Sequence, residues 1–283
     1  MKKKRLACVF SGNSPLRLAG DPENAKKLID TGVTGIAYET VTAADGSMPL
    51  LAPMSTIAGQ LAIVVGSYHL LKHNKGKGVM IGKLDSIEPR VVTVIGAGVA
   101  GTQSISKALD NHALVKVLDT SQSKLQQLES EFGSSNIEYI LSTSDSVQSA
   151  INESDMVIGS VYVVGKEAPK VVSRDMLKSM NPGTVMVDVS IDQGGCFESS
   201  RPTTHDNPTF LENEIVHYCV TNMPGAVPLT ATQALNKVTL SFIEDLANKG
   251  VENALSDDEH LRNGLNIQNG EITHPAVKDA LNY

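Results

Sequence analysis

The densest chemistry in the chain lies in Val91-Val-Thr-Val-Ile-Gly-Ala-Gly-Val-Ala-Gly101. A β-branched apolar run leads straight into three glycines, and a helical pattern follows them. Each glycine has its own task. Gly96 permits the tight turn, Gly98 lets the backbone approach a pyrophosphate, and Gly101 allows close packing of helix on strand. The helix start then supplies unpaired N–H groups and a favourable dipole for phosphate oxygens. Asp119 closes the next β-branched run, about twenty residues on, where a carboxylate accepts hydrogen bonds from ribose hydroxyls. Thr120 and Ser121 follow it, with no adjacent arginine to receive a ribose phosphate, so the pattern selects NAD over NADP.

Two later loops carry reactive side chains. One is Asp188-Val-Ser-Ile-Asp-Gln-Gly-Gly-Cys196 and the other Thr221-Asn-Met-Pro-Gly-Ala-Val-Pro228. Each follows an apolar run that reads as a strand, and ligands on open α/β sheets sit beyond the carboxyl ends of the strands. Asp192 is suited to orienting a substrate, stabilising a developing cation or relaying protons. The same residue type also serves as a plain turn or cap. Asn222 is suited to exchanging hydrogen bonds with a substrate or a carboxamide. The histidines at 69, 73, 205, 217 and 274 have no partners at metal-ligand spacing, and no metal site is expected. His205 reads as a residue of a proline-bounded surface loop, His217 as a buried strand histidine, and His69 and His73 as dipole partners at a helix end.

The elements that must hold these residues alternate. Strands are expected at Val91–Ile95, Val115–Leu118, Ile137–Leu141, Met156–Gly159, Val185–Val189 and Val216–Val220. Helical patterns intervene at Gly101–Asn111, Ser123–Phe132, Ser146–Glu153 and Ser173–Met180. Such alternation specifies a doubly wound parallel sheet of the Rossmann type, covered on both faces. Before it, Asp21–Asp30 reads as a helix and Val33–Thr40 as a strand. After Pro224, helices are expected at Ala231–Lys249 and Val251–Leu255. The two ends are too small for separate cores and should pack as one reduced second α/β domain. The expected division is 1–49, 50–227 for the nucleotide-binding domain, and 228–283 returning to the second domain.

Composition removes several classes of function. The chain has 283 residues and a formal net charge of −7, with 4% aromatic residues and no tryptophan. It lacks the basic footprint and the stacking platforms of a nucleic-acid binder, so a small molecule is the expected partner. Cys8, Cys196 and Cys219 form no CxxC pair, which suits free thiols in the cytoplasm. Only Leu6 and Ala7 separate Arg5 from Cys8, too short an apolar region for a lipoprotein signal. The uncharged stretch Leu50–Leu71 nears spanning length, but Pro53, Gln60 and His69 favour a buried or connecting helix over a membrane role.

These segments together resemble the alanine dehydrogenase family. The resemblance is carried by Gly32-Val-Thr-Gly-Ile-Ala-Tyr-Glu-Thr40, Asp45-Gly-Ser-Met-Pro-Leu-Leu-Ala-Pro-Met-Ser55, the Gly96–Gly101 fingerprint, and Val187–Cys196. Ser200-Arg-Pro-Thr-Thr204, Asn222–Pro228 and Thr273-His-Pro-Ala-Val277 add to it. It implies NAD-linked, reversible oxidative deamination of L-alanine to pyruvate and ammonia, in a protein that forms a homo-oligomer. It implies cofactor contacts at Ser55, Val99, Ala100, Asp119, Lys124, Ser142 and Val161. It makes Asp192 the active-site aspartate and puts Asn222 and Met223 at the nicotinamide and substrate.

Set against that family, the chain reads as an N-terminally shortened member, by roughly eighty residues of substrate domain. Arg17, in Leu16-Arg-Leu-Ala19, takes the position of the family's catalytic histidine. Arginine is no general base, which leaves Arg17 as either a carboxylate binder or a solvated charge. Two alternative functions fit the same residues: a protein that binds NAD without turnover, and the nucleotide-binding part of a transhydrogenase.

Overall fold

The computed structural model describes residues 6–9, 22–163 and 167–281. Arg17 lies outside the described residues. In chain order the first elements are β1 (Leu6–Val9), α1 (Pro22–Asp30), β2 (Thr34–Ala37) and the long α2 (Ala52–His69). There follow β3 (Val91–Ile95), α3 (Val99–Asp110), β4 (Leu114–Asp119), α4 (Gln122–Phe132), β5 (Ile137–Leu141), α5 (Ser144–Glu153), β6 (Met156–Gly159), β7 (Val185–Asp188), β8 (Thr209–Glu212) and β9 (Ile215–Tyr218). The chain ends with α6 (Pro228–Lys249), α7 (Val251–Asp257), α8 (Glu259–Arg262), β10 (Leu265–Gln268), β11 (Glu271–Ile272) and α9 (Pro275–Leu281).

Two compact units result. One comprises 55–163 and 167–226; the other combines the chain up to Met54 with residues from Val227 onward. The first holds a seven-stranded sheet ordered β5-β4-β3-β6-β7-β9-β8. All neighbours in it are parallel except β8, which runs antiparallel to β9 at the edge. Strand order reverses between β3 and β6, so this is the doubly wound topology with a switch point there.

The strands stay central because both faces are apolar and alternate residues serve opposite layers. Val92, Val94, Met156, Ile158, Val185 and Val187 join one core cluster, while Ile95, Val157 and Met186 join the other. A strand buried on both faces reads as a near-continuous apolar run, as these do; Thr93, the buried exception in β3, pairs its hydroxyl with Ser154 Oγ at 2.6 Å. Burying one such side chain is worth about 1.5–3 kcal/mol. At the base of the sheet Lys77 donates to Asp155 at 2.9 Å, and Asp155 accepts the Val91 N–H at 3.1 Å, fixing where β3 begins.

The second unit has a four-stranded sheet, β1-β2-β10-β11, in which β1 and β2 are parallel and the remaining pairs antiparallel. Ile36, Tyr38, Val41 and Leu50 pack with Leu246, Leu255 and Leu261, so residues from both ends of the chain share one core.

Several sequence expectations change. The segment Ser173–Met180 forms only a 3-10 turn at Met176–Ser179. Its buried Leu177 and Met180 recur at three, the period of that turn, and Asn181-Pro182 stops it. The strand of Val33–Thr40 ends at Ala37 and tightens into a 3-10 turn at Tyr38–Thr40. The edge strand β8 and the hairpin β10–β11 are additions. His69 is buried, and loss of solvent pushes its imidazole below its ordinary pKa, favouring the neutral ring over a charged dipole partner.

Candidate functional site

Every candidate in the first unit follows the carboxyl end of a parallel strand or belongs to a helix that packs there. Gly96 follows β3, Asp119 ends β4, Ser142 follows β5, Val161 lies two residues past β6, and the loops of Asp192 and Asn222 follow β7 and β9. Because these strands are parallel, their carboxyl ends share one edge of the sheet.

The glycine turn is shaped by close approach. Gly96 has φ +100°, and a Cβ there would sit 2.6 Å from the Ser160 carbonyl oxygen. A Cβ on Gly101 would sit 1.8 Å from the Gly96 carbonyl oxygen. Gly98 differs: its φ is −74° and a Cβ would meet nothing within 4 Å. The Gly98 residue precedes α3 without any side-chain cap, leaving first-turn N–H groups for a ligand, and Val99 is exposed. An open space facing an uncapped helix start is the cradle a pyrophosphate needs. The dinucleotide fits the residues present.

Asp119 braces this turn. One carboxylate oxygen accepts the Ala97 N–H at 2.7 Å and the other the Ser121 N–H at 2.8 Å. Each oxygen retains a second lone-pair direction for a hydroxyl donor. Ser121 in turn caps α4 by accepting the Lys124 N–H at 3.3 Å, which puts Lys124, an exposed residue, in the first turn beside Asp119. The Ser142 N–H donates to the Asp119 carbonyl at 2.9 Å, bringing that candidate to the same corner. Ser55 lies one turn before Gly59 on α2. A Cβ on Gly59 would be 2.1 Å from the Ala100 carbonyl oxygen, so this part of α2 rides directly on the start of α3.

The other half of the edge holds Asp192 and Asn222. Asp192 lies exposed in a 3-10 turn, Val189–Gln193. The capping role open to an aspartate in this loop falls to Asp188, whose side chain accepts the Ser190 N–H at 2.9 Å. Asp192 instead accepts the backbone N–H of Asn222 at 3.2 Å. Asn222 adopts φ +53°, a region asparagine tolerates better than most residues, and Met223 beside it is buried. Val161 reaches the same loop, its carbonyl accepting from Ser190 Oγ at 2.8 Å.

Three features escaped the sequence reading. The exposed His205 brings Nε2 to 3.3 Å from the Asn222 carbonyl oxygen, a contact that only tertiary structure creates. Lys170 Nζ donates to the carbonyls of Gly194 and Gly195 at 2.5 and 2.7 Å, clamping the Asp192 loop. Asp188 is fully buried, and burial raises its carboxyl pKa although several donors oppose the shift. Its position at a strand end before Val-Ser was the one available signal. His217 is buried as expected; its Nε2 lies 2.8 Å from Ser199 Oγ and its Nδ1 3.1 Å from the Ile215 carbonyl oxygen.

Cys196 and Cys219 are buried and free, with burial lifting both thiols, Cys219 to about 12. They are poor nucleophiles for that reason. Among the described residues no cluster of three metal-ligating side chains occurs, and no helix is long and apolar enough to cross a membrane.

Residues 62–275 match the family described as "Alanine dehydrogenase/PNT, C-terminal domain". The chain is 48% identical over 265 residues to the alanine dehydrogenase of Halomonas elongata, covering 94% of this chain and 71% of that one. It is 46% identical over 263 residues to the alanine dehydrogenase of Mycobacterium tuberculosis strain H37Rv, covering 93% and 70%. Among solved structures an L-alanine dehydrogenase superposes with a TM-score of 0.91 at 41% identity, covering 100% of this chain and 76% of that chain. A transhydrogenase from Sinorhizobium meliloti superposes at 0.74 with 23% identity over 91% and 71%, a likeness of fold alone. By family match, by identity over nearly its whole length and by fold, the chain belongs to the alanine dehydrogenase family.

Proposed function

We propose that the protein is an NAD-dependent alanine dehydrogenase, interconverting L-alanine with pyruvate and ammonia. The single observation that carries this reading is the sheet edge itself, where an uncapped, glycine-lined helix start and the Asp192–Asn222 pair lie beyond parallel strands of one sheet. Relatives that carry the name at 44–48% identity favour it over a chain that binds cofactor without turnover.

In this reading Gly96, Gly98, Val99, Ala100 and Gly101 hold the pyrophosphate, and Asp119 accepts from the adenosine ribose, which selects NAD. Ser55, Lys124, Ser142 and Val161 line the remaining cofactor path. A nicotinamide held by these residues would supply hydride acceptance at the alanine Cα–H bond. Asp192 stabilises the cationic nitrogen that develops as this bond breaks, and it accepts a proton from the water that completes deamination. Asn222 orients the substrate through its side-chain amide, while its backbone N–H steers the Asp192 carboxylate. Met223 closes the apolar side of the pocket.

The same reading takes 50–227 as the nucleotide-binding domain, with 1–49 and 228–283 forming the substrate domain. It assigns a homo-oligomer in the cytoplasm; the two buried free thiols are consistent with a reducing compartment. The test is alanine-dependent NADH formation by the purified chain. Turnover that is absent with L-alanine yet present with another amino acid would overturn the substrate assignment.

A further inference from the structure

We propose that Asp188 is the positioning residue that aims Asp192, by drawing the loop from 188 to 200 closed around a single buried carboxylate. This rests on the reading of Asp192 above and extends it to a residue that touches neither substrate nor cofactor.

The geometry is specific. Asp188 ends β7 and has no solvent exposure. One of its oxygens accepts the Ser190 N–H at 2.9 Å. The other accepts the Cys196 N–H at 2.9 Å and the Ser200 hydroxyl at 2.5 Å. Donors at positions 190, 196 and 200 therefore converge on one side chain, and Asp192 projects from the segment between the first two. The return path passes so near that Gly195, at φ +76°, has no room for a side chain: its Cβ would lie 2.7 Å from Asp188 Oδ2. All of these donors face an acceptor-only group, which is what an ionised carboxylate is. Burial raises the carboxyl pKa overall, and the convergent donors oppose that shift by favouring the ionised form.

The consequence is transmitted, not direct. Asp192 meets Asn222 through a 3.2 Å hydrogen bond, and that contact depends on where the closed loop holds Ile191 and Asp192. Asparagine at 188 would turn an NH2 toward the loop's N–H and O–H donors, leaving donors facing a donor. The loop would then loosen at Ser190 or at Cys196, and Asp192 would leave the Asn222 N–H.

A double-mutant cycle on the full chain tests this, with L-alanine and NAD as substrates and NADH binding read by fluorescence. Asp188→Asn is expected to lower kcat about 30-fold while leaving the Kd for NADH within about threefold. In an Asp192→Asn background the same change should cost less than about threefold, because a positioning residue has nothing left to aim. A crystal structure of Asp188→Asn should show the Asp192–Asn222 bond broken. Equal losses of kcat in both backgrounds, or an intact bond in that crystal, would overturn the proposal. Should Asp188→Asn fail to fold, Ser200→Ala removes one donor and is expected to lower kcat several-fold in the wild-type background only; equal effects in both backgrounds would again contradict the proposal. If Asp192→Asn itself turns over like the wild type, the functional reading of Asp192 fails. The crystal structure then still decides, separately, whether Asp188 sets the loop.

Discussion

The backbone N–H of Asn222 donates to the Asp192 carboxylate across 3.2 Å, joining loops thirty residues apart that leave neighbouring strands β7 and β9. The bond uses the main chain of Asn222 and leaves its side-chain amide for other partners. Asn222 holds this contact while its own backbone sits in the left-handed region, at φ +53°.

Backbone and side chain at 222 should therefore separate by substitution. Asn222→Gly keeps the left-handed conformation and is expected to lower kcat/KM about tenfold through loss of the amide alone, with little change in thermal stability. Asn222→Val forces a β-branched residue into that region at a cost of about 1–3 kcal/mol and should lose the Asp192 contact as well. Steady-state kinetics and thermal unfolding of both variants check the separation. Equal kinetics for the two would contradict it.

Gly98 and Gly101 belong to one motif but answer to different constraints. Gly101→Ala drives a Cβ into the Gly96 carbonyl and is expected to destabilise the fold by about 1–3 kcal/mol or more. Gly98→Ala meets open space at an ordinary φ, so stability should hold while NADH affinity falls by tenfold or more, about 1.4 kcal/mol. Denaturant unfolding and NADH fluorescence titration read the two effects independently. A destabilised Gly98→Ala would show that packing, not ligand approach, requires that glycine.

Asp119 supplies the choice of cofactor. Asp119→Ser keeps an acceptor for the Ala97 N–H but removes the negative charge that repels a ribose phosphate. The NADH-over-NADPH preference should fall by an order of magnitude or more, from weaker NADH binding and stronger NADPH binding together. Titration with both cofactors checks this. An unchanged ratio would move the discrimination elsewhere.

Acid should weaken the fold through its buried histidines. Loss of solvent depresses the His217 pKa below the ordinary 6.5, as it does for His69 and His274. Below 6.5 the unfolded chain takes up protons that the folded chain refuses, so stability present above that pH falls as pH drops toward the folded-state values. The melting temperature should decline as pH is lowered from about 7.5 to about 5.5, and His217→Gln should make that decline shallower. An unaltered slope in His217→Gln would remove His217 from the account.

Much of the fold was legible because burial on both faces leaves a plain mark. Val91–Ile95, β-branched throughout, and the apolar Met156–Gly159 read as strands and are strands over those same residues. Glycine chemistry at 96, 98 and 101 was equally plain, since each position excludes side chains or admits a ligand for local reasons. What escaped was set by tertiary pairing. The edge strand Thr209–Glu212 is half-exposed and has no run to betray it. Leu177 and Met180 are as well buried as helix residues, but three residues apart they close only a short turn. Asp188 looked like a strand-end aspartate, and only the folded loop reveals the donors from positions 190, 196 and 200 that meet there. His205 reaches Asn222 across seventeen residues of sequence, a distance that local pattern cannot bridge.

The most direct measurement follows NADH absorbance when the purified chain is given L-alanine and NAD, alongside its Asp192→Asn variant and an NADH-binding titration of both. The account predicts alanine-dependent NADH formation by the wild type and a loss of about 100-fold or more in kcat for Asp192→Asn, with NADH affinity nearly unchanged. No alanine-dependent NADH from a folded, NADH-binding wild-type chain, or an Asp192→Asn variant as fast as the wild type, would contradict it.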